Sequence, residues 1–238
     1  LYALIEINKP WFSISQIGSR ILSVFQKSYY RGDSTSDLVN FEKSVKEVNQ
    51  TLVNLTEQGE TDWIGCLNAA LVANINQEMH IATAGSVKAI LVRDGKILSV
   101  NQPDDTLDQN PIKTFGAITS GTLLNEDIRL VANSHFFDFI NSAKIKEIFD
   151  GASSCNESAK EMVKIFKKNK VKTINALIIK LTDTAIAGDE PDVVYIDQNP
   201  EKLGEKVAKW WNQKGKQRTK NFGEDSWRIM QKTHQVTR

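Results

Sequence analysis

The sequence predicts an α+β fold in which antiparallel sheets carry helices on their outer faces. Three observations predict it. Asp94-Gly95 stands between the apolar runs Val87–Arg93 and Lys96–Val100, which is the strongest short-range signal for a hairpin. Phe41, Val45, Val48, Leu52 and Leu55 step by four, three, four and three, and so draw one apolar helical stripe. The order of elements is strand, two helices, several hairpins, two or three helices, strand. Neighbouring strands joined by tight turns favour antiparallel pairing over a doubly wound sheet.

The elements follow in chain order. Leu1–Ile7 reads as a short buried strand ended by Pro10. Ile14, Ile17, Ile21, Leu22 and Phe25 fall at helical spacing. A polar, Gly-containing loop at Tyr30–Asp37 separates them from the stripe on Phe41–Leu55, which Gly59 closes. Ile64–Ile75 and Met79–Ala84 read as paired strands with Asn76-Gln77-Glu78 as their turn. The Asp-Gly hairpin comes next, then a polar stretch at Asn101–Lys113. Asp127–Ala132 is a further strand. Phe136–Ile140, Ala143–Phe149 and Ser158–Lys168 are helical, and Ile174–Leu181 is a last buried strand. No internal repeat is visible.

Composition narrows the function classes. The 238 residues are 40% hydrophobic and 25% charged, as in an ordinary globular chain. Thirty basic residues offset 29 acidic ones, for a net charge of +1. That sum hides a split. Glu201–Arg238 holds ten Lys/Arg against four Asp/Glu, leaving twenty against twenty-five before it. An acidic body thus carries a basic tail. No apolar run is long enough to span a membrane. A chain that opens on Leu1, without an initiator Met or a basic leader, is expected to belong to a longer one. Two cysteines, Cys66 and Cys155, make no disulfide framework and no CxxC pair, which points to a reducing, cytoplasmic compartment. The Asn-x-Ser/Thr triplets at Asn49, Asn54 and Asn156 are no more than chance supplies.

Self-contained catalytic motifs are missing. The chain has no GxxxxGK[ST], HExxH, GxSxG or GxGxxG. His80, His135 and His234 are scattered. His80 sits in an apolar strand pattern, where a hydrogen-bonded structural role is expected. Cys66 lies in an apolar run and is expected to be a packed core thiol. Cys155, in a polar loop beside Ser153 and Ser154, has no basic neighbour to activate it.

Four segments then resemble one family. Met79–Val100, with Gly85-Ser86 and Arg93-Asp94-Gly95, resembles the central strand pair of the PP2C (PPM-type) metal-dependent Ser/Thr phosphatases, where Gly-Asp-Ser and Arg-Asp-Gly stand. Leu1–Ile7 lies where that family has its first Asp-Gly strand. Asp127–Ile140 is similar to its Ser-Asp-Gly strand and helix, and Thr173–Leu181 to its closing Asp-Asn strand. The resemblance covers residues 1–181. It implies a four-layer sandwich of two stacked antiparallel sheets flanked by helices. It also implies two Mg²⁺ or Mn²⁺ ions, held by shared carboxylates, that activate a water.

The departures fall on the ligand positions. The first Asp-Gly is Glu6-Ile7. The central Asp is Ser86. The Ser-Asp-Gly triplet is Asn133-Ser134-His135, so Ser134 replaces its Asp. The closing Asp is Thr173. One of these four positions keeps a carboxylate, and two closely spaced cations repel unless anionic ligands screen them. Substitutes are poor. Asp138 matches a family Asp outside the metal site, Glu126 and Asp127 are expected to be solvated at a turn, and Asp104, Asp105 and Asp108 read as surface charge.

The leading reading is therefore a catalytically inactive, pseudophosphatase-like domain that acts in signalling through protein contacts, with no catalytic residue and no cofactor. The alternative is a divergent phosphoprotein phosphatase with relocated ligands, which would use Mg or Mn. A third reading is an α+β domain that shares only the hydrophobic pattern. Residues 182–200 are expected to be a linker with an extra strand at Asp192–Ile196, and 201–238 a basic, Trp-containing helical tail. Leu203, Val207, Trp210 and Trp211 share one face of that tail, and Lys214, Lys216, Arg218 and Lys220 add charge. The tail either docks on a protein or meets an anionic surface, a membrane among them. Nucleic acid is the minor option, since no recognisable module accompanies the charge.

Overall fold

The computed structural model describes residues 1–8, 14–32, 34–101, 111–171 and 173–182. Among the described residues eight strands and five α-helices follow in order: β1 (Tyr2–Ile7), α1 (Ile14–Tyr30), α2 (Asp37–Glu57), β2 (Leu67–Ile75), β3 (Glu78–Ala84), β4 (Val87–Arg93), β5 (Lys96–Ser99), β6 (Ile118–Thr122), β7 (Ile128–Asn133), α3 (Ser134–Phe139), α4 (Ser142–Gly151), α5 (Cys155–Lys168) and β8 (Ala176–Lys180). Two four-stranded sheets result, ordered β1-β2-β3-β6 and β5-β4-β7-β8. Every pairing is antiparallel. The expected α+β sandwich is the observed one.

Period-two alternation decides which side chains meet between the sheets. Leu4 of β1, Val72 of β2, Ile81 of β3, Leu91 of β4 and Val131 of β7 fill one apolar layer drawn from both sheets. The opposite face of the first sheet packs Leu71, Ala73 and Ala82 under the α1 and α2 stripes, with Phe25, Phe41, Val48, Leu52 and Trp63. The outer face of the second sheet sets Leu130 and Ala132 under Phe136, Ile145, Phe149, Met162 and Phe166 of α3–α5. Helix, sheet, sheet and helix thus form four layers. Asp94 (φ 49°) and Gly95 (φ 67°) both have positive φ, as the tight turn between β4 and β5 requires.

Helix starts lie upstream of where apolar periodicity placed them. The side chains of Asn133, Asn141 and Ser154 accept from the N–H of Phe136, Lys144 and Glu157, so each helix opens on a polar cap. Cys155 is accordingly the first residue of α5 rather than a loop residue. Burial pushes its thiol pKa up. The strand expected from Ile64 begins at Leu67, because Gly65 (φ 72°) turns the chain and the N–H groups of Cys66 and Leu67 both close on Trp63 O. Cys66 is therefore half-exposed in that turn, not a core thiol. β1 and β8 are half-buried sheet edges rather than fully buried strands. β6 (Ile-Thr-Ser-Gly-Thr) was not expected at all. It is an edge strand with one large apolar side chain and gives no alternation to read.

Asp127 corrects the sequence reading most clearly. Expected to be solvated, its side chain is 1% exposed and binds Arg93 through both oxygens. Arg93 Nε donates to Oδ1 (2.9 Å), Nη2 donates to Oδ2 (2.6 Å), and Nη2 also reaches Thr122 O (2.9 Å). One guanidinium thus joins β4 of the second sheet to β6 of the first. Elsewhere His80 Nδ1 pairs with Ser120 Oγ at 2.9 Å and its ring packs 5.8 Å from Phe41, the structural role expected of it. Asn49 brackets Phe115 through its own amide, at 3.1 and 2.9 Å.

No helix among the described residues is long and apolar enough to cross a membrane. The linker 182–200 beyond Thr182, with its strand Asp192–Ile196, lies outside the described residues. So do the tail residues Trp210, Trp211, Lys214, Lys216, Arg218 and Lys220, and Asp104, Asp105, Asp108 and His234.

Burial pushes the Asp127 pKa up, but the Arg93 hydrogen bonds and the Leu124 N–H outweigh it and hold the carboxyl below its usual value. A depressed folded-state pKa gives stability that is present above the unfolded value and lost as pH falls through the folded one. Asp127→Asn is expected to cost about 2 kcal/mol near neutral pH. The difference from the parent closes in acid, and urea titrations at several pH values read both effects.

Candidate functional site

The inter-sheet layer is apolar at its centre and polar at one end. Along β1, Tyr2, Leu4 and Glu6 share the inward face. Along β2 it is Asn68, Ala70 and Val72, and along β7 it is Arg129, Val131 and Asn133. The tight turn Gly85-Ser86 between β3 and β4 delivers Ser86 to the same end. Ser134 follows at the first turn of α3.

These residues form two hydrogen-bonded sets at the same end of the layer. Asn133 Nδ2 donates to Glu6 Oε2 at 2.8 Å, while its Oδ1 accepts from Phe136 N at 3.1 Å. Ser134 Oγ donates to Ser86 Oγ at 3.0 Å, and Ser86 Oγ donates to Asn68 Oδ1 at 3.1 Å. Ser86 N donates to the same oxygen at 2.9 Å. β1 and β2 belong to the first sheet, β4 and β7 to the second. The Asn133–Glu6 bond therefore ties the two sheets together directly, and the Ser86–Asn68 bonds fasten the turn that connects them to β2.

Three of the four positions singled out in the sequence meet here: Glu6, Ser86 and Ser134. Thr173 does not. It is exposed and shares no hydrogen bond with the other three. The approach from that segment is made by backbone, where Asn133 N donates to Asn175 O at 3.4 Å. Asn68 is the member sequence reasoning missed. Its signal was present: with Asn74 it is one of two polar residues in an otherwise apolar strand, and it lies near the start at the parity that faces the second sheet.

The chemistry of the cluster follows from its donors. The hydroxyl chain Ser134 to Ser86 to Asn68 ends on an amide oxygen, so neither serine has a base to take its proton. His135 is exposed, pairs through Nδ1 with Asp138 Oδ2 at 3.0 Å and packs edge-on against Phe139 at 5.0 Å. No hydrogen bond joins it to either serine. A pair of divalent cations needs several anionic oxygen ligands. The cluster offers one carboxylate, two amides and two hydroxyls, and the carboxylate is engaged by Asn133. Among the described residues no group of three or more His, Cys, Asp or Glu is placed to hold a metal ion. The residues present do not fit a two-metal centre.

No family model and no curated protein matches this sequence. Solved structures match the fold. The catalytic domain of the serine/threonine phosphatase PstP, in complex with two manganese ions, superposes with a TM-score of 0.64 at 12% identity, covering 76% of this chain and 87% of that one. The Mycobacterium tuberculosis serine/threonine phosphatase PstP/Ppp gives a TM-score of 0.60 at 13% identity, over 76% of this chain and 87% of that one. The S. agalactiae serine/threonine phosphatase gives 0.61 at 11% identity, over 76% and 86%. PppA of Pseudomonas aeruginosa gives 0.58 at 10%, over 75% and 84%. The architecture is that of the PP2C-type Ser/Thr phosphatases.

Asn133 caps α3 and holds Glu6 with one side chain, so Asn133→Ala removes both contacts. The expected loss is about 2 kcal/mol, somewhat more than a cap alone. Asn133→Ala and Glu6→Gln, made singly and together and compared by urea unfolding, should be less than additive.

Proposed function

We propose that this domain uses the phosphatase fold as a protein-interaction or regulatory module in signalling and does not carry out metal-dependent phosphoester hydrolysis. One observation carries the reading: at the end of the sandwich that gathers Glu6, Asn68, Ser86, Asn133 and Ser134, the one carboxylate is engaged by an amide and the other side chains are neutral and hydrogen-bonded to neighbours. In a fold relative described with two manganese ions, the chemistry asks for clustered anionic oxygens. Here those side chains satisfy one another instead. A fold carries no activity without its site.

The test is direct. The full chain, assayed with Mn²⁺ on p-nitrophenyl phosphate and on a phosphothreonine peptide, is expected to show no metal-dependent turnover. Turnover that disappears in Glu6→Ala would sink the proposal and favour the divergent enzyme. Ser86→Asp combined with Ser134→Asp would set three carboxylates at the cluster. That variant is expected to gain calorimetrically measurable Mn²⁺ binding that the parent lacks.

The contact surface proposed for the partner is the basic segment Glu201–Arg238, whose Trp210 and Trp211 supply apolar area beside Lys214, Lys216, Arg218 and Lys220. The partner is a protein with an acidic face. Its binding should weaken with salt and be lost when Glu201–Arg238 is removed. Equal, salt-sensitive capture by phosphatidylserine vesicles would reassign the segment to a membrane surface.

A further inference from the structure

The last turn of α5 gathers cations that the fold does not need. Elsewhere on the same helical layer, lysines sit beside carboxylates. Lys144 pairs with Glu147 (2.6 Å), Lys146 with Asp150 (3.9 Å) and Lys164 with Glu161, while Lys160 and Lys164 act electrostatically on Glu157. The pattern changes at the helix end. Lys167, Lys168 and Lys170 are exposed, and among the described residues no carboxylate lies within ion-pair distance of them. Capping does not account for them, because the last carbonyls of α5 are already taken. Asn169 N and Nδ2 donate to Ile165 O, Lys170 N to Lys167 O and Val171 N to Phe166 O, all between 2.9 and 3.1 Å. A single cation would serve the helix dipole, and three within four residues repel one another. Lys170 adds a backbone cost. It holds the left-handed position of the closing turn (φ 56°), which glycine adopts freely and lysine does not.

These lysines stand toward the Glu6 end of the sandwich. Val171 is buried in the core of the helical layer, and the chain then runs through exposed Thr173 to Asn175, whose O accepts from Asn133 N at 3.4 Å. The kind of partner follows from what surrounds the charges. A membrane surface takes apolar side chains along with cations, and single-stranded nucleic acid takes stacked aromatics. The large apolar side chains exposed among the described residues are Tyr30, Val39, Leu98, Ile112 and Leu124, and none lies on α5 or the turn after it. A short run of Asp or Glu needs only cations within reach of a few residues. We propose that Lys167, Lys168 and Lys170 form a docking point for an acidic segment of a protein partner. The inference rests on the protein-interaction reading above and adds to it a contact on the folded domain, separate from Glu201–Arg238.

Fluorescence anisotropy of a labelled deca-glutamate peptide against full-length chains tests it. Lys167→Gln, Lys168→Gln and Lys170→Gln together should raise the Kd roughly fivefold at low salt, with the difference shrinking as salt is added. Lys144→Gln, Lys146→Gln and Lys164→Gln together remove the same charge from paired lysines and should change the Kd far less. Equal losses in the two triple variants would overturn the proposal and leave only long-range charge. The α5 loss should persist in a chain whose tail carries Lys214→Gln, Lys216→Gln, Arg218→Gln and Lys220→Gln. Its disappearance there would overturn the proposal and assign the peptide to the tail. Lys170→Gly separates binding from folding: it should weaken the peptide while holding or raising the Tm. An unchanged Kd with a lower Tm would reduce Lys170 to a turn residue and overturn its place in the site. Tighter capture of phosphatidylserine vesicles or of oligo-dT than of the peptide, lost in the same α5 variant, would also overturn the choice of partner. Anisotropy reads binding and not hydrolysis, so its result is distinct from that of the phosphatase assay.

Discussion

Burial between two stacked sheets governs every polar choice in this chain. A side chain on the inward face of β1, β2, β4 or β7 loses water on all sides. It must then be apolar, or be answered by a partner on the facing sheet. The centre of the layer takes the first option with Leu4, Val72, Ile81, Leu91 and Val131. The ends take the second. Glu6 meets Asn133, Ser86 meets Asn68, and the Arg93–Asp127 pair bridges to Thr122. Helix placement follows from the same geometry, since only the outer faces of the sheets remain for α1–α2 and α3–α5 to cover.

Much of this was legible in the sequence because it is local. The α2 stripe and the Asp-Gly turn are set by residues within a few positions of one another, and both appear where expected. The order of elements and the four layers also followed, since apolar spacing survives where individual side chains have changed. What was not legible depends on partners distant in the chain. Asp127 reads as a turn carboxylate until Arg93, thirty-four residues away, is seen to bury it. β6 owes its existence to pairing with β3 and not to any pattern of its own. Asn68 looks like an accident in a hydrophobic strand until Ser86 is placed opposite it. Cys66 was assigned to the core by its apolar neighbours, whereas Gly65 turns the backbone just before it and leaves it half-exposed.

On the function proposed above, the Glu6 cluster keeps the fold while differing in chemistry from a metal site. Carboxylates gathered at one point repel one another and destabilise the chain unless cations sit among them. Hydroxyls and amides carry no such penalty. They can donate and accept in series, as the Ser134–Ser86–Asn68 bonds do. Neutral substitution at this end removes the electrostatic reason for bound cations and supplies a direct tie between the sheets in the same place. Glu6 remains tolerable because a single carboxylate with an amide donor needs no cation to balance it.

The two ends of the inter-sheet layer are then unlike. At the Glu6 end each side chain of the cluster has a partner among its neighbours, and the network is complete within the two sheets. At the Arg129 end a buried guanidinium has Nε and Nη1 without hydrogen-bond partners, and the Asp127 carboxylate acts on it only through space. A guanidinium does not shed its proton to escape that cost as a buried lysine can.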